Sequence, residues 1–357
     1  MKSFTCIAIA SAVVVSATPS LVLDVAGPSS VVDVDGLSVT ITLKNTGDET
    51  IKACLLNDPR TILSNAKTNA FSISSESGSP KFTGIRMKYV PASAAALNKN
   101  STFTVLAPGQ TFEITHDLAG VYDFTSSGEG AYSFDTANVF DYVDTTGALI
   151  TIEANSNTHQ FKIAGKLVAS NDRTSPSRLS RRAVTYTGCS SSQQPLISAA
   201  ATASDNYVSK VNSYLARISS GTPRYTTWFG TFSSSRYNTV VSHYKNIGTD
   251  ATSTNYDCSA CKSQSGIDYD STYAYVFPDS PGKIYLCGAF WSAPVTGTDS
   301  RAGTIVHENS HFTVNGGTDD YAYGQSAAKS LAKSKPSKAV NNADNHEYFA
   351  ENTPAQS

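Results

Sequence analysis

His307-Glu308-Asn309-Ser310-His311 decides how this chain is read. On a helix, positions i and i+4 share a face, so His307 and His311 can reach one metal ion. Glu308 then stands beside that metal, where it can take a proton from a bound water. Ile305, Val306 and Phe312 flank the motif and can bury one side of its helix. The pattern predicts a zinc site of the kind that hydrolyses peptide bonds.

The flanks carry the argument outward. Asn315-Gly316-Gly317 supplies a helix stop and a sharp turn. Before the motif, Tyr273-Ala274-Tyr275-Val276-Phe277 and Lys283-Ile284-Tyr285-Leu286-Cys287 predict a β-hairpin around Pro278 to Gly282. Leu196, Ala199, Val208, Val211, Tyr214, Leu215 and Ile218 make a helical stripe over about 194–219, which Pro223 ends. Further helices are expected at about 225–245, 299–313, 321–334 and 337–350. This half is therefore read as mainly α, an α+β domain with a small β-hairpin or sheet.

Residues from about 20 to 168 read differently. Leu37-Ser38-Val39-Thr40-Ile41-Thr42-Leu43 alternates apolar and polar, then meets the turn signal Asn45-Thr46-Gly47-Asp48. Thr102–Val105, Thr111–Ile114, Leu149–Ile152 and Phe161–Ile163 repeat the habit. Short strands with frequent turns predict an all-β sandwich of immunoglobulin-like type. His116 and His159 are isolated and are read as surface or turn residues, and the segment offers few catalytic candidates. Between the halves, Asn171 to Ser180 has the composition of an exposed linker and leads into Arg181-Arg182, a dibasic processing site.

The N-terminus is read as a secretory signal over 1–17: Lys2, the apolar run Ile7 to Val15, then Val15-Ser16-Ala17 for cleavage. No later stretch reaches transmembrane length. A secreted, extracellular protein follows, with residues 18–182 as a β-rich propeptide and 183–357 as the catalytic domain. The chain's 357 residues accommodate two domains, and its formal net charge of −2 gives no basic footprint for nucleic acid. Cys6 leaves with the signal and Cys54 stands alone in the first half, a candidate thiolate for a zinc's open position in the precursor. Cys189, Cys258, Cys261 and Cys287 allow three pairings. The Cys258/Cys261 spacing also suits a metal or redox site, but two structural disulfides fit an oxidising compartment better.

After the motif the chain reads Gly317-Thr318-Asp319-Asp320-Tyr321-Ala322-Tyr323-Gly324. H-E-x-x-H followed by G-T-x-D-x-x-Y-G resembles the aspzincin zinc peptidases, the deuterolysin group, and this implies a zincin-type domain. The resemblance implies that His307, His311 and Asp320 hold one zinc ion per chain, that Glu308 is the general base and that Tyr323 stabilises the transition state. Asp319 is then expected in solvent or as a cap on the next helix. The whole C-terminal half, including Tyr225–Gly230, Cys287–Trp291 and Asn342–Phe349, looks like the fungal peptidyl-Lys metalloendopeptidases. In that group two carboxylates bind the lysine that follows the cut; carried over, these are Asp344 and Glu347, which helical spacing puts on one face. His346 is expected to point away and to be structural, and His243 to be isolated. Trp228 and Trp291 are candidates for the cleft or for core packing. The likeness also implies disulfides Cys189–Cys258 and Cys261–Cys287, although here two residues separate Cys258 from Cys261 where the group's pattern has one.

The expected activity is hydrolysis on the N-terminal side of lysine in protein and peptide substrates, by a monomer that binds its own propeptide and needs neither nucleic acid nor membrane. A broad-specificity enzyme of the same family is the nearest alternative. A secreted binding protein with a structural metal site is another, though structural zinc wants four closed ligands and no fourth is evident.

Overall fold

The computed structural model describes residues 20–47, 51–144, 147–169 and 183–357, without the side chains of 51–54. The expected signal segment 1–17, the linker Asn171 to Ser180 and Arg181-Arg182 lie outside the described residues, as does the side chain of Cys54.

Alternation in the first half becomes burial. Ser38–Asn45 buries every second side chain, so Val39, Ile41 and Leu43 face inward. It pairs with Leu21–Ala26 on one side and Thr111–Asp117 on the other, both antiparallel. Facing elements are Ser30–Val32, His159–Ala164, Gly130–Thr136 and Phe71–Ser74, in that order across a second four-stranded sheet. The β content and alternation match expectation; among the described residues the hydrogen bonding groups these strands into three four-stranded sheets and a two-stranded pair of Lys81–Phe82 with Tyr122–Asp123, the third large sheet running Leu149–Glu153, Val139–Val143, Ile51–Leu56 and Phe103–Leu106. Phe124, Phe134, Phe140, Tyr132 and Phe161 fill the interior between them. His116 belongs to that interior rather than the surface: it is buried, and its Nε2 lies 3.0 Å from the Ile62 carbonyl. A ring with one polar partner satisfied can replace an apolar residue in a strand, which sequence spacing does not reveal.

Helices dominate the second half. Gln193–Leu215 is one long helix whose inward stripe includes Ile197, Val208, Val211 and Leu215. The expected helix at 225–245 is two, Pro223–Phe229 and Ser234–Ile247. Gly230 breaks it, with φ +74, where an added Cβ would sit 2.3 Å from the Ala332 carbonyl oxygen. The hairpin forms as Thr272–Val276 and Lys283–Leu286. Disulfides Cys189–Cys258 and Cys261–Cys287 are both present, in the expected pairing. They close separations of 69 and 26 residues, and bridges of this kind contribute typically about 2–4 kcal/mol each.

One sheet joins the halves. Its order is Thr185–Thr187, Asn255–Asp257, Lys283–Leu286, Thr272–Val276 and, at the edge, Arg86–Tyr89 from the N-terminal region. The last pair is antiparallel, with Ala274 opposite Lys88 and Tyr275 opposite Met87. Apolar contacts follow the strand across: Ile85 and Met87 pack with Tyr275 and the Cys261–Cys287 bridge, and Tyr89 with Tyr323.

Candidate active site

Arg301–His311 is the helix that carries the motif, and every one of its residues is buried. Ser300 starts it: its Oγ accepts from the Gly303 N–H at 2.9 Å. Glu351 braces the same turn, accepting from the Ser300 N–H and hydroxyl at 2.9 and 2.7 Å. Gly303 lies under that carboxylate, and a Cβ there would meet Glu351 Oε1 at 2.1 Å. The helix ends at Phe312, and the turn through Gly317 (φ +56) sends the chain back over His311.

That return places Asp320. Its Oδ1 lies 3.2 Å from His307 Nε2 and 3.4 Å from His311 Nε2. The other ring nitrogens face acceptors. His311 Nδ1 is 2.8 Å from the Thr318 carbonyl, and His307 Nδ1 is 2.9 Å from Asp344 Oδ1 and 3.3 Å from Glu347 Oε2. The Thr318 carbonyl at His311 Nδ1 and the carboxylates beside His307 Nδ1 favour a ring proton on each of those atoms, which leaves the Nε2 atoms as lone-pair donors. Three lone-pair donors thus converge on one point, and His307 Nε2, His311 Nε2 and Asp320 Oδ1 make no hydrogen bond among the described residues. A cation would satisfy all three at once. Two imidazoles and a carboxylate form a donor set suited to catalytic zinc, with a position left for water.

The loop from Asp319 to Gly324 is non-helical, which is why the expected helix at 321–334 begins only at Gln325. Asn342 holds it. The Asn342 side chain accepts from the N–H groups of Tyr321 and Ala322 and donates to the Ala322 carbonyl. This use of Asn342 also divides the expected helix at 337–350 into Pro336–Ala339 and Ala343–Glu351. Asp319 is neither in solvent nor capping a helix. It pairs with Arg86 and accepts from Asn69 Nδ2 at 3.1 Å. The reason is a cation delivered from 233 residues away in sequence.

Asp344 and Glu347 are fully buried on one face of the last helix, as spaced. Between them sits the ammonium of Lys88, 3.1 Å from Asp344 Oδ1 and 2.8 Å from Glu347 Oε2. Asp299 Oδ1, at 3.3 Å, and the Tyr348 hydroxyl, at 3.3 Å, complete the pocket. Burial alone would lower the Lys88 pKa, but Asp344 and Glu347, with Tyr348 and Asp299, hold it well above its ordinary value. Burial pushes Asp344 up, and Lys88 and His307 more than offset this, so its carboxyl stays below the usual range. Glu347 goes the other way, raised by burial and by the neighbouring Asp344 despite Lys88. Trp228 is core, stacked on Tyr348 with ring centroids 5.3 Å apart, and supports the pocket from behind.

The strand carrying Lys88 also meets Tyr323, Glu308 and Asp320. Tyr323 donates its hydroxyl to the Met87 carbonyl at 2.7 Å. The Lys88 N–H donates to Glu308 Oε1 at 2.9 Å, and the Met87 N–H to Asp320 Oδ2 at 3.2 Å. Burial raises the Tyr323 pKa well above its ordinary value, so it remains a donor. Burial also pushes Glu308 up to about 8, with His307 opposing and Asp320 adding; a divalent cation next to it would draw that value down.

His346 is structural as expected, but His243 is not isolated: its Nδ1 lies 3.1 Å from His346 Nε2. Lys88, Asp299 and Asn342 are the site residues that sequence reasoning missed. Asp299 and Asn342 had no motif, while Lys88 had one available signal: a lysine upstream of a domain expected to recognise lysine.

A buried pair of imidazoles with a convergent carboxylate and a glutamate facing a peptide N–H belongs to metal-dependent peptide hydrolysis, and relatives of the chain carry that activity in their names. The chain is a zinc metalloendopeptidase. A family model described as lysine-specific metallo-endopeptidase matches residues 214–351. Peptidyl-Lys metalloendopeptidase of Grifola frondosa is 51% identical over 349 residues, covering 97% of each chain. That of Armillaria mellea is 49% identical, covering 97% of this chain and 96% of its own. An extracellular protease of Aeromonas hydrophila is 34% identical over 89% of this chain and 88% of its own. A solved zinc peptidase from Grifola frondosa, 58% identical, covers 47% of this chain and all of its own with a TM-score of 0.45. This chain belongs to the aspzincin family of metalloendopeptidases.

Proposed function

We propose that the chain is a secreted proenzyme whose C-terminal half cleaves peptide bonds on the N-terminal side of lysine. The observation that carries this reading is the pocket of Asp344, Glu347 and Asp299 closed around a lysine ammonium, beside the convergent His307, His311 and Asp320. An ammonium is a compact point charge that several carboxylates can surround, whereas a guanidinium needs a planar, wider mouth. The names of the fungal relatives support the same preference.

In this reading His307, His311 and Asp320 hold one zinc ion, which supplies Lewis acidity and an activated water. Glu308 takes the water's proton and delivers it to the leaving nitrogen; its Oε1 already lies 2.9 Å from a peptide N–H in the position of that nitrogen. Tyr323 donates to the carbonyl oxygen on the other side of the bond and holds it as negative charge builds there. The strand Thr272–Val276 binds the substrate backbone by edge addition. Removal of residues 1–17, a cut after Arg182 and monomeric action complete the proposal, and the residues before the cut serve as a propeptide.

Digestion of a defined protein by the processed enzyme, with and without a chelator, tests this. The expected result is new N-termini beginning with lysine, abolished by chelator and restored by zinc. Cuts spread over many residue types would leave only a general aspzincin endopeptidase.

A further inference from the structure

The Arg86–Tyr89 strand does more than cover the cleft. A cover needs only to fill space, but this strand meets the reactive groups one by one. The Lys88 ammonium occupies the carboxylate pocket, fully buried. The Met87 carbonyl takes the Tyr323 hydroxyl at 2.7 Å. Lys88 N–H faces Glu308 at 2.9 Å. Thus the carbonyl and the nitrogen of a single peptide bond, Met87–Lys88, each engage the group that hydrolysis requires on its own side. The strand runs antiparallel to Thr272–Val276, so its backbone is held in an extended, substrate-like register. Arg86, paired with Asp319 and stacked over Phe82 at 4.2 Å, anchors the strand one residue before Met87.

We propose that Met87–Lys88 is a substrate bond carried within the chain itself: in the uncut precursor it occupies the active site, excludes other peptides, and is the bond the enzyme hydrolyses in its own chain. This rests on the lysine-directed reading above. One water is consumed. Its oxygen joins the Met87 carbonyl carbon, the C–N bond breaks, Met87 ends as a carboxylate and Lys88 nitrogen leaves as an amine carrying the proton held by Glu308. The cut differs from the dibasic cut after Arg182, which an arginine-directed protease would make.

The test uses the full chain, purified metal-free, then given zinc and followed by intact mass and N-terminal sequencing. A new N-terminus at Lys88 is expected, with a half-time unchanged over a hundredfold dilution, because bond and site belong to one molecule. Glu308→Gln should leave the bond intact. Lys88→Met, which keeps an unbranched side chain without the charge, should slow the cut at least a hundredfold; a thermal melt establishes that this variant is folded, and if it is not, the dilution series alone decides. No Lys88 terminus in the zinc-loaded precursor, or a half-time that lengthens in proportion to dilution, overturns the proposal. A parallel digest of a lysine-containing peptide, by the chain after cleavage with a dibasic-specific protease, separates the two readings. If that digest cuts before lysine while Met87–Lys88 stays whole, only the self-cleavage fails. If it does not cut before lysine, the lysine-directed reading fails with it.

Discussion

Asp344 lies against His307: its Oδ1 is 2.9 Å from the ring Nδ1, while the same oxygen is 3.1 Å from the Lys88 ammonium. Its other oxygen accepts from the Gly324 N–H at 2.6 Å, just beyond Tyr323. One carboxylate therefore joins the metal-facing histidine, the lysine pocket and the loop that presents Asp320 and Tyr323. In the proposed reading, recognition of lysine and orientation of a metal ligand share this single side chain.

Asp344 and Glu347 should consequently separate on substitution. Asp344→Asn should weaken zinc binding by about 10–100-fold, as loss of a carboxylate behind a ligating histidine does, and lower lysine preference at the same time. Glu347→Gln should lower lysine preference more than zinc affinity, since Glu347 Oε2 stands farther from His307 Nδ1, at 3.3 Å. Competition with a zinc-binding dye, beside cut-site profiles, measures both. Equal zinc affinities for the two variants would contradict the sharing.

Glu308 and Tyr323 should affect turnover rather than metal content. Glu308→Gln removes the proton carrier and should lower kcat by about 10²–10⁴-fold with zinc retained. Tyr323→Phe removes one donor to the developing oxyanion and should lower kcat by about 10²–10³-fold with little change in KM. Metal analysis and steady-state kinetics on the processed enzyme check both. A Glu308→Gln enzyme with full activity would refute the assigned mechanism.

The histidine motif, its helix, the return of the chain through Gly317 and the disulfides were all legible in the sequence, because each is local or rests on a family pattern. The alternation around Val39, Ile41 and Leu43 likewise announced a β region. What escaped was long-range. Asn342 looks like any helix residue until Tyr321 and Ala322 lean on its side chain, and Asp319 looks like a solvent carboxylate until Arg86 arrives. Lys88 sits in Arg-Met-Lys-Tyr, a stretch with no periodicity to mark it, and its meaning depends on carboxylates more than 200 residues later. Local pattern cannot report a pairing whose partners meet only in the finished fold.

Acid should destabilise the catalytic half through the His243–His346 pair. His346 Nδ1 faces the Asn342 carbonyl at 3.0 Å, so its Nε2 accepts from the His243 Nδ1–H. Burial lowers His243 to about 4; burial, then the neighbouring His243, lowers His346 to about 3. Both values lie below the unfolded value near 6.5, so as pH falls the unfolded chain takes up protons first. The stability from these neutral rings is complete above about pH 6.5 and is lost progressively toward pH 4 and below. The slope is at most about 1.4 kcal/mol per pH unit for each ring. Urea unfolding of the wild type and His243→Phe between pH 7 and 4.5 measures it. The wild-type advantage should shrink as pH falls, and a constant difference would contradict the account.

The central claim is that the pocket of Asp344, Glu347 and Asp299 reads a lysine ammonium. Two peptides, identical except for lysine or norleucine after the scissile bond, test it most directly, since norleucine keeps the four-carbon chain and removes the charge. With norleucine the pocket's carboxylates would be left buried without their cation. A site built around a polar partner rejects the analogue lacking it by about 10⁴-fold in kcat/KM, and a ratio of that order is expected for the processed enzyme. Cleavage of the two peptides at similar kcat/KM would contradict the claim.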